Sequence, residues 1–466
     1  MLSKTLARDE RRLTATRDGG AEIDADRAFR QVVAVIDNVL KRSAASKAEI
    51  STAASCTFWH SLMGIGDNGK PTTPVYGWAD NRSRDFVDVL RQRFDESETH
   101  KSTGARFHPS FWPAKLLWIR KVAPETWSKT DKWISFGDYV SLKLFGRLMT
   151  SVSIASGTGV FDLRGCVWNA ELLRFIKLPS NKLPDISPDD NFTLKLLEKW
   201  RRRWPRLATA AWTLPIADGV ANSVGSGCAD ETRAALMIGT SGALRVIYKG
   251  APPAKIPNGL WCYRVDRERV IVGGALSDGG GLYDWLKRNL RVGLSDSALE
   301  KELKRRRADS HGLTFMPFLA GERSTGYNEN ATGSIHGLTM AHDAIDISHA
   351  GMESVAYRLS DIFNQIESIF RGIEIVASGG ALNASPAWTQ IIADVFGRNI
   401  SLSSASEASL HGAVLLALES TGKILLKDKI STAKQKQIIF HSECHSTYIK
   451  AKMRHQKFYE NHYQTQ

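Results

Sequence analysis

The 466 residues carry 62 Lys and Arg against 49 Asp and Glu, a formal net charge of +13, with 42% hydrophobic and 24% charged residues. That balance is too apolar for a disordered chain, and the length exceeds what one hydrophobic core serves, so two domains are expected. No apolar run is long enough for a membrane span, and the start MLSKTLARDERR lacks the apolar region of a secretory signal, so a cytosolic protein without a membrane partner is expected.

Cys56, Cys166, Cys228, Cys262 and Cys444 are scattered and never form a C-x-x-C pair, so they read as reduced thiols, and no metal ligands are assigned. The short cluster His441, Cys444 and His445 lacks a second ligand pair and reads as surface or helix-cap chemistry. Arg201-Arg202-Arg203 and Lys304-Arg305-Arg306-Arg307 raise the question of nucleic acid. Each lies at helical spacing beside an acid, Glu198 or Glu302, and no nucleic-acid motif accompanies them. Solvated helix faces are expected, with no nucleic-acid partner, and the surplus positive charge suits small anionic substrates.

In chain order, residues 24–42 predict an amphipathic helix capped by Asp24 or Asp26, followed by a strand over AEISTAASCTF that delivers Trp59 and His60. GIGDNGKP reads as a turn. Next, Trp78-Ala79-Asp80-Asn81-Arg82 offers a flat apolar face beside a carboxylate and a guanidinium. That set suits a polyol or sugar acid, whose hydroxyls donate to Asp80 and whose carboxylate pairs with Arg82. A core tryptophan with a surface ion pair is the plainer alternative. NAELLRFIKL and TLKLLEKWRRRW read as helices, and the composition shift at Trp212–Pro215 marks a boundary between domains 1–214 and 215–466.

Beyond it, PIADGVANSVGSG places Asp218 after a short apolar run and before closely spaced glycines, where backbone can approach a ligand. RAALMI and ALRVIY read as two strands joined by Gly239-Thr240-Ser241-Gly242, a turn whose N–H groups and hydroxyls can meet phosphate oxygens. A helix cap and an ordinary hairpin turn explain these two features equally well in isolation. WCYRVD and RVIVGGALS read as paired strands, and Gly279-Gly280-Gly281 then opens a helix whose first N–H groups suit an anion. An apolar strand runs into Gly321-Glu322-Arg323, and residues 346–370 predict a long helix with one core stripe. EIVAS then leads into Gly379, Gly380, Ala381 and Asn383, a strand-loop-helix pattern. ASLHGAVLLALES reads as a helix, and the polar final stretch as peripheral.

Taken together, FWHSLMGI, GDNGKPTTPVYGWADNRS, DGVANSVGSG, GTSGALR and PFLAGER resemble the FGGY family of carbohydrate kinases, in its gluconokinase-like branch. The resemblance implies an α/β fold of two actin-like (ribonuclease H-like) ATPase domains with a cleft between them. It implies Asp218 as catalytic base, Gly239, Thr240, Ser241, Gly242 and Gly280 around the phosphates, and Gly379, Gly380, Ala381 and Asn383 at the adenosine. His60, Trp78, Asp80 and Arg82 then serve the sugar side of domain 1–214. ATP and Mg2+ are the implied cofactors and a sugar or sugar acid, foremost D-gluconate, the partner; xylulose, glycerol and a homo-oligomer stay open. Two details depart from the family pattern: Gly66 precedes the acid of the GDNGKP turn, and Ser324-Thr325 follows GER. The family's opening Asp-x-Gly-Thr-Thr strand and turn has no counterpart, since Arg17-Asp18-Gly19-Gly20-Ala21 lacks a flanking apolar run. The first domain is therefore expected to be N-terminally incomplete and the chain as given poorly stable or weakly active. A catalytically silent sugar- or nucleotide-binding protein is the alternative.

Overall fold

The computed structural model describes residues 5–10, 13–405, 407–429 and 436–464; the charged start read for a signal lies partly outside them. In the N-terminal half, helix α1 (Ala25–Arg42) begins where the Asp24 carboxylate accepts the Arg27 N–H at 2.6 Å, so Asp24 is the cap. The strand expected over AEISTAASCTF is two dipeptides, β1 (Thr52–Ala53) and β2 (Cys56–Thr57). Helix α2 (Trp112–Val122) follows, with proline at its start. TLKLLEKWRRRW is helical only over Glu198–Arg203, after a dipeptide strand at Thr193–Leu194. Strands β3 (Ala211–Thr213) and β4 (Ile216–Ala217) pair in parallel with β1 and β2. Among the described residues of this half, sheet pairing is confined to ladders of two or three residues. Apolar packing carries the rest, through Trp204, Trp212 and Tyr139 in one cluster and Trp112, Trp133 and Leu116 in another.

Helix α3 (Asp218–Gly225) leaves β4 directly, and the second half is built on a continuous sheet. Its members are β5 (Arg233–Ile238), β6 (Gly242–Lys249), β7 (Trp261–Arg264) and β8 (Arg269–Leu276), the last followed by helix α4 (Gly280–Asn289). The strand expected before Gly321 is short, β9 (Thr314–Met316), because Pro317 cannot extend a ladder. Helix α5 (Ala344–Glu367) opens on a capping box of Asp343 and Asp346, and nearly every residue from 346 to 363 is buried rather than one stripe. Then come β10 (Glu374–Ser378), α6 (Gly380–Ala384), α7 (Pro386–Phe396), β11 (Ile400–Leu402), α8 (Ala408–Ser420) and β12 (Lys436–Ile438).

The seven strands lie in the order β7-β8-β6-β5-β10-β11-β12, with β5, β10 and β11 parallel. Such buried parallel strands read as near-continuous apolar runs, as RAALMI and EIVAS do. The final stretch corrects the peripheral reading: α9 (Ser442–Tyr463) buries Tyr448, Ala451, His455 and Tyr459. His441 stands at its N-cap, and the basic clusters are ion-paired, Arg201 and Arg202 with Glu198 and Arg306 with Asp343 and Asp346. No helix among the described residues is long and apolar enough to cross a membrane.

Candidate active site

Asp218 is the first residue of α3, held where β4 pairs with β2 and where α3 packs along α8. Its side chain is exposed, while Ala217 and Gly219 on either side are buried. Its Oδ1 accepts the Gly219 N–H at 2.8 Å, and the Trp59 N–H also points to the carboxylate. The surrounding protein pushes the carboxyl above its ordinary value, while the Arg245 guanidinium draws it back down. A Cβ on Gly219 would lie 2.5 Å from the Trp59 ring, so only glycine lets that indole pack under the acid. Trp59 is fixed in turn by its Nε1–H, donated to the Ser153 carbonyl at 2.9 Å, and by edge contact with Tyr263.

The glycine segments meet at the carboxyl ends of β5 and β10. The Gly239–Gly242 turn joins β5 to β6, and Thr240 at its tip is exposed. Its carbonyls face α4: Gly279 and Gly281 donate to the Thr240 oxygen at 3.1 and 2.9 Å, and Gly280 donates to the Gly239 oxygen at 2.8 Å. This corrects the expected anion site, because the N–H groups that open α4 are spent on the turn. Gly280 serves contact instead, since a Cβ there would lie 2.5 Å from the Gly239 oxygen and 3.1 Å from Ala381 Cβ. Gly379 follows β10 beside Ile238, and Gly380 and Asn383 are exposed on the same side. The structure therefore brings residues 239–242, 280 and 379–383 together. The Ser378 hydroxyl, buried at the end of β10, lacks a hydrogen-bond partner.

The sugar-side residues divide. His60 is buried with φ of 66°, and its Nδ1 meets the Gly157 carbonyl, which places the proton on Nδ1 and leaves Nε2 facing Arg323 at 3.5 Å. Burial, aided by Arg323, holds it well below the ordinary histidine value, so it is neutral. Trp78 is half-buried, with the Arg323 guanidinium 5.4 Å from its ring centre. Asp80, by contrast, is wholly buried and engaged, taking the Ala21 N–H at 3.0 Å and Arg82 Nε and Nη2 at 3.2 and 2.5 Å. Arg82 also reaches Glu22 at 2.9 Å and lies over Tyr76 and Trp118. Asp80 and Arg82 are thus locked to each other, as in the ion-pair reading, rather than presented with His60 and Trp78.

Three basic residues were given no role by the sequence reading. Arg323, 9% exposed, and Arg245, 7% exposed, flank Asp218, and burial pulls the latter down to about 10. Lys115 is completely buried, donates to the Pro109 carbonyl, and is pulled down to about 7 by burial. The signals were the arginines of GTSGALR and GER and the one lysine inside WPAKLLWI.

These surfaces fit a nucleotide: exposed small residues and an unsatisfied buried hydroxyl converge at the ends of adjacent parallel strands. For a divalent cation the exposed carboxylate is Asp218, in keeping with magnesium's habit of using few protein ligands beside phosphates and water. Among the described residues, the two groupings with metal-ligating side chains lie elsewhere, at His311, His349 and Glu353 and at Asp394, His441 and Cys444. In the first, His311 Nδ1 accepts the Leu313 N–H, so its Nε2 carries the proton and donates to Glu353.

Residues 5–204 match the N-terminal domain of the FGGY family of carbohydrate kinases and residues 234–420 its C-terminal domain. The chain is 29% identical over 429 residues to a gluconokinase of Bacillus subtilis (strain 168), covering 88% of this chain and 82% of that one. It is 25% identical over 360 residues to a xylulose kinase of Staphylococcus xylosus, covering 77% and 74%. In structure it resembles a gluconate kinase from Lactobacillus acidophilus, with a TM-score of 0.87 and 26% identity over 97% of this chain and 92% of that chain. With both domains matched in order, the chain belongs to the FGGY family of carbohydrate kinases, which are phosphotransferases.

Proposed function

We propose that this protein transfers the γ-phosphoryl group of ATP to a hydroxyl of a small sugar acid, D-gluconate, giving 6-phosphogluconate. Asp218 is the base, taking the hydroxyl proton as the oxygen attacks phosphorus and the bond to the β-phosphate oxygen breaks. In this reading residues 1–214 carry the sugar face, with His60 and Trp78 lining it and Asp80 holding Arg82 in place. Residues 215–466 carry the nucleotide face, with the 239–242 turn at the phosphates and residues 379–383 at the adenosine. Magnesium, arriving with ATP, would neutralise phosphate charge beside Asp218.

The observation that carries the sugar-acid reading is Arg323. Its buried guanidinium lies on the Trp78 ring, and its hydrogen-bond partner is the weakly basic Nε2 of a neutral histidine. A buried cation so placed gains most from an incoming carboxylate. The named relatives add gluconokinase first, with xylulose and glycerol kinases also present.

The test is ADP release by the purified chain over gluconate, xylulose and glycerol. Gluconate is expected to give the highest kcat/KM, and a neutral polyol outperforming it would overturn the acid assignment. Asp218→Asn is expected to reduce turnover by at least about a hundredfold while ATP still binds. Unchanged turnover in that variant would remove Asp218 from the reaction.

A further inference from the structure

The loop that carries Arg323 belongs by sequence to one half of the molecule and is gripped by the other. Residues 317–333 follow β9 inside the C-terminal match, whereas Arg91 stands in the last turn of the helix Asp85–Arg93 inside the N-terminal match. Arg91 Nη1 and Nη2 donate to the two Glu329 oxygens at 2.9 and 3.2 Å, and Nη2 also donates to the Tyr327 carbonyl at 3.3 Å. The Glu329 side chain is 5% exposed, so this forked pair is shielded from the water that weakens surface ion pairs. The path on to Arg323 is short: the Tyr327 N–H donates to the Arg323 carbonyl at 2.7 Å. Tyr327 itself has φ of 54°, a left-handed conformation that holds only where its surroundings enforce it. Two more side chains of the first half press on it, with the His108 ring edge-on to Tyr327 and the Arg106 guanidinium 5.8 Å from its ring centre.

We infer that Arg91 is a positioning residue for sugar-acid recognition: through Glu329 and the Tyr327 carbonyl it clamps the loop to the first half and keeps the Arg323 guanidinium over Trp78 and beside His60. The inference rests on the reading of Arg323 as the group that meets the substrate carboxylate. The second half holds the loop at other points. Ser324 exchanges hydrogen bonds with Ala275 at 3.0 and 3.1 Å, Tyr459 and Arg358 hold Glu322, and Asn328 donates to the Tyr463 carbonyl at 2.9 Å. Those ties fix the loop to β8, α5 and α9, and none of them sets its distance from Trp78 and His60. Arg91 does, because Val87 and Leu90 of its helix share one apolar cluster with Leu62 and Tyr76, each two residues from His60 or Trp78. The other partners of Arg91, Asp88 and Glu96 at 3.5 and 3.4 Å, do not depend on it: Asp88 is exposed, and Glu96 is held by Arg106 and the Phe107 N–H. Loss of the Arg91 fork therefore falls on Glu329 and Tyr327.

The experiment compares wild type with Arg91→Met, Arg91→Lys and Glu329→Gln in the full chain. Hydrogen exchange of residues 321–329 reads the clamp without substrate, and the KM values for gluconate and ATP read its consequence. Arg91→Met and Glu329→Gln are expected to speed exchange at 321–329 and to raise KM for gluconate, each by about tenfold, while exchange at 233–249 and KM for ATP stay within about twofold. Arg91→Lys, which keeps the charge without the fork, is expected to lie between them and wild type. Unmoved exchange at 321–329 in the folded Arg91→Met and Glu329→Gln variants overturns the inference, as does an equal rise in both KM values. Glu329→Gln keeps the shape of the side chain, so it reports even where Arg91→Met, which strands a buried carboxylate, does not fold. Failure of both to fold overturns the inference, because the pair is then structural. Faster exchange in the variants with no gluconate turnover in wild type leaves the clamp standing and removes the proposed function, so the two failures are distinguishable.

Discussion

Asp278 stands between β8 and the triglycine, 8% exposed, and burial pushes its carboxyl up to about 7 even though the Ala320 and Leu319 N–H groups point to it. In an unfolded chain the same group titrates near 4. The folded state therefore holds its proton more tightly, so the stability tied to Asp278 is full below about pH 4 and is lost as pH rises through 7. Asn keeps an acceptor for the two N–H groups and cannot ionise. Asp278→Asn is thus expected to be near neutral at pH 4 and stabilising at pH 8, on the order of 2 kcal/mol once water at the loop is allowed for. Melting curves across that range check it, and a pH-independent difference would exclude a buried ionising Asp278. At this scale the sequence placed Asp218 at the end of a strand, and there β4 runs directly into α3. Arg323 was not legible in this way, since a long side chain's target depends on distant packing, here on His60 of the other half.

Among the elements, the 239–242 turn and the start of α4 form one unit joined by three hydrogen bonds. Gly280→Ala would drive its Cβ against the Gly239 oxygen, at an expected cost of about 1–3 kcal/mol, and under the proposed function it weakens ATP binding more than gluconate binding, measurable by calorimetry. The hairpin itself was readable from two β-type runs around a glycine turn, but where its carbonyls point was not. Strand AEISTAASCTF failed for a related reason: β propensity proposes a strand, while each partner, β3 or β4, offers only a two-residue ladder. Helix α9 was misread because its polar surface hides a sparse buried row. From that row the Tyr459 hydroxyl donates to both oxygens of Glu322 at 2.9 and 2.8 Å, while Arg358 pairs with the same carboxylate. Glu322 precedes Arg323, so α9 braces the loop that carries the cleft arginine. Tyr459→Phe is expected to cost about 1.5–3 kcal/mol in chemical denaturation and to raise KM for gluconate more than for ATP. Equal changes in both constants would show that the brace does not favour the sugar side.

Over the whole molecule the two halves are held by unlike means, and their local stabilities should differ. The second half has ladders of five to eight residues joining β5, β6, β8 and β10, every strand flanked and buried. Opening any of these amides requires breaking the sheet. The first half has aromatic clusters but ladders of two residues at β1 with β3 and at β2 with β4, so its amides depend on side-chain packing. Opening free energies range from near zero at sparsely bonded segments to the global value in core sheets. Hydrogen exchange followed by mass spectrometry is therefore expected to show residues 52–57 and 211–217 exchanging well before 233–249 and 269–276. Because β4 runs directly into Asp218 and β2 leads to Trp59 and His60, the weakly paired segment is the one that presents these residues. A ligand that bridges the halves should slow exchange there first, and the proposed function expects gluconate with ATP to do so more than either alone. Slow exchange at 52–57 in the free protein would show that aromatic packing alone fixes the active site. Faster exchange there that no ligand slows would detach the dipeptide ladders from substrate binding.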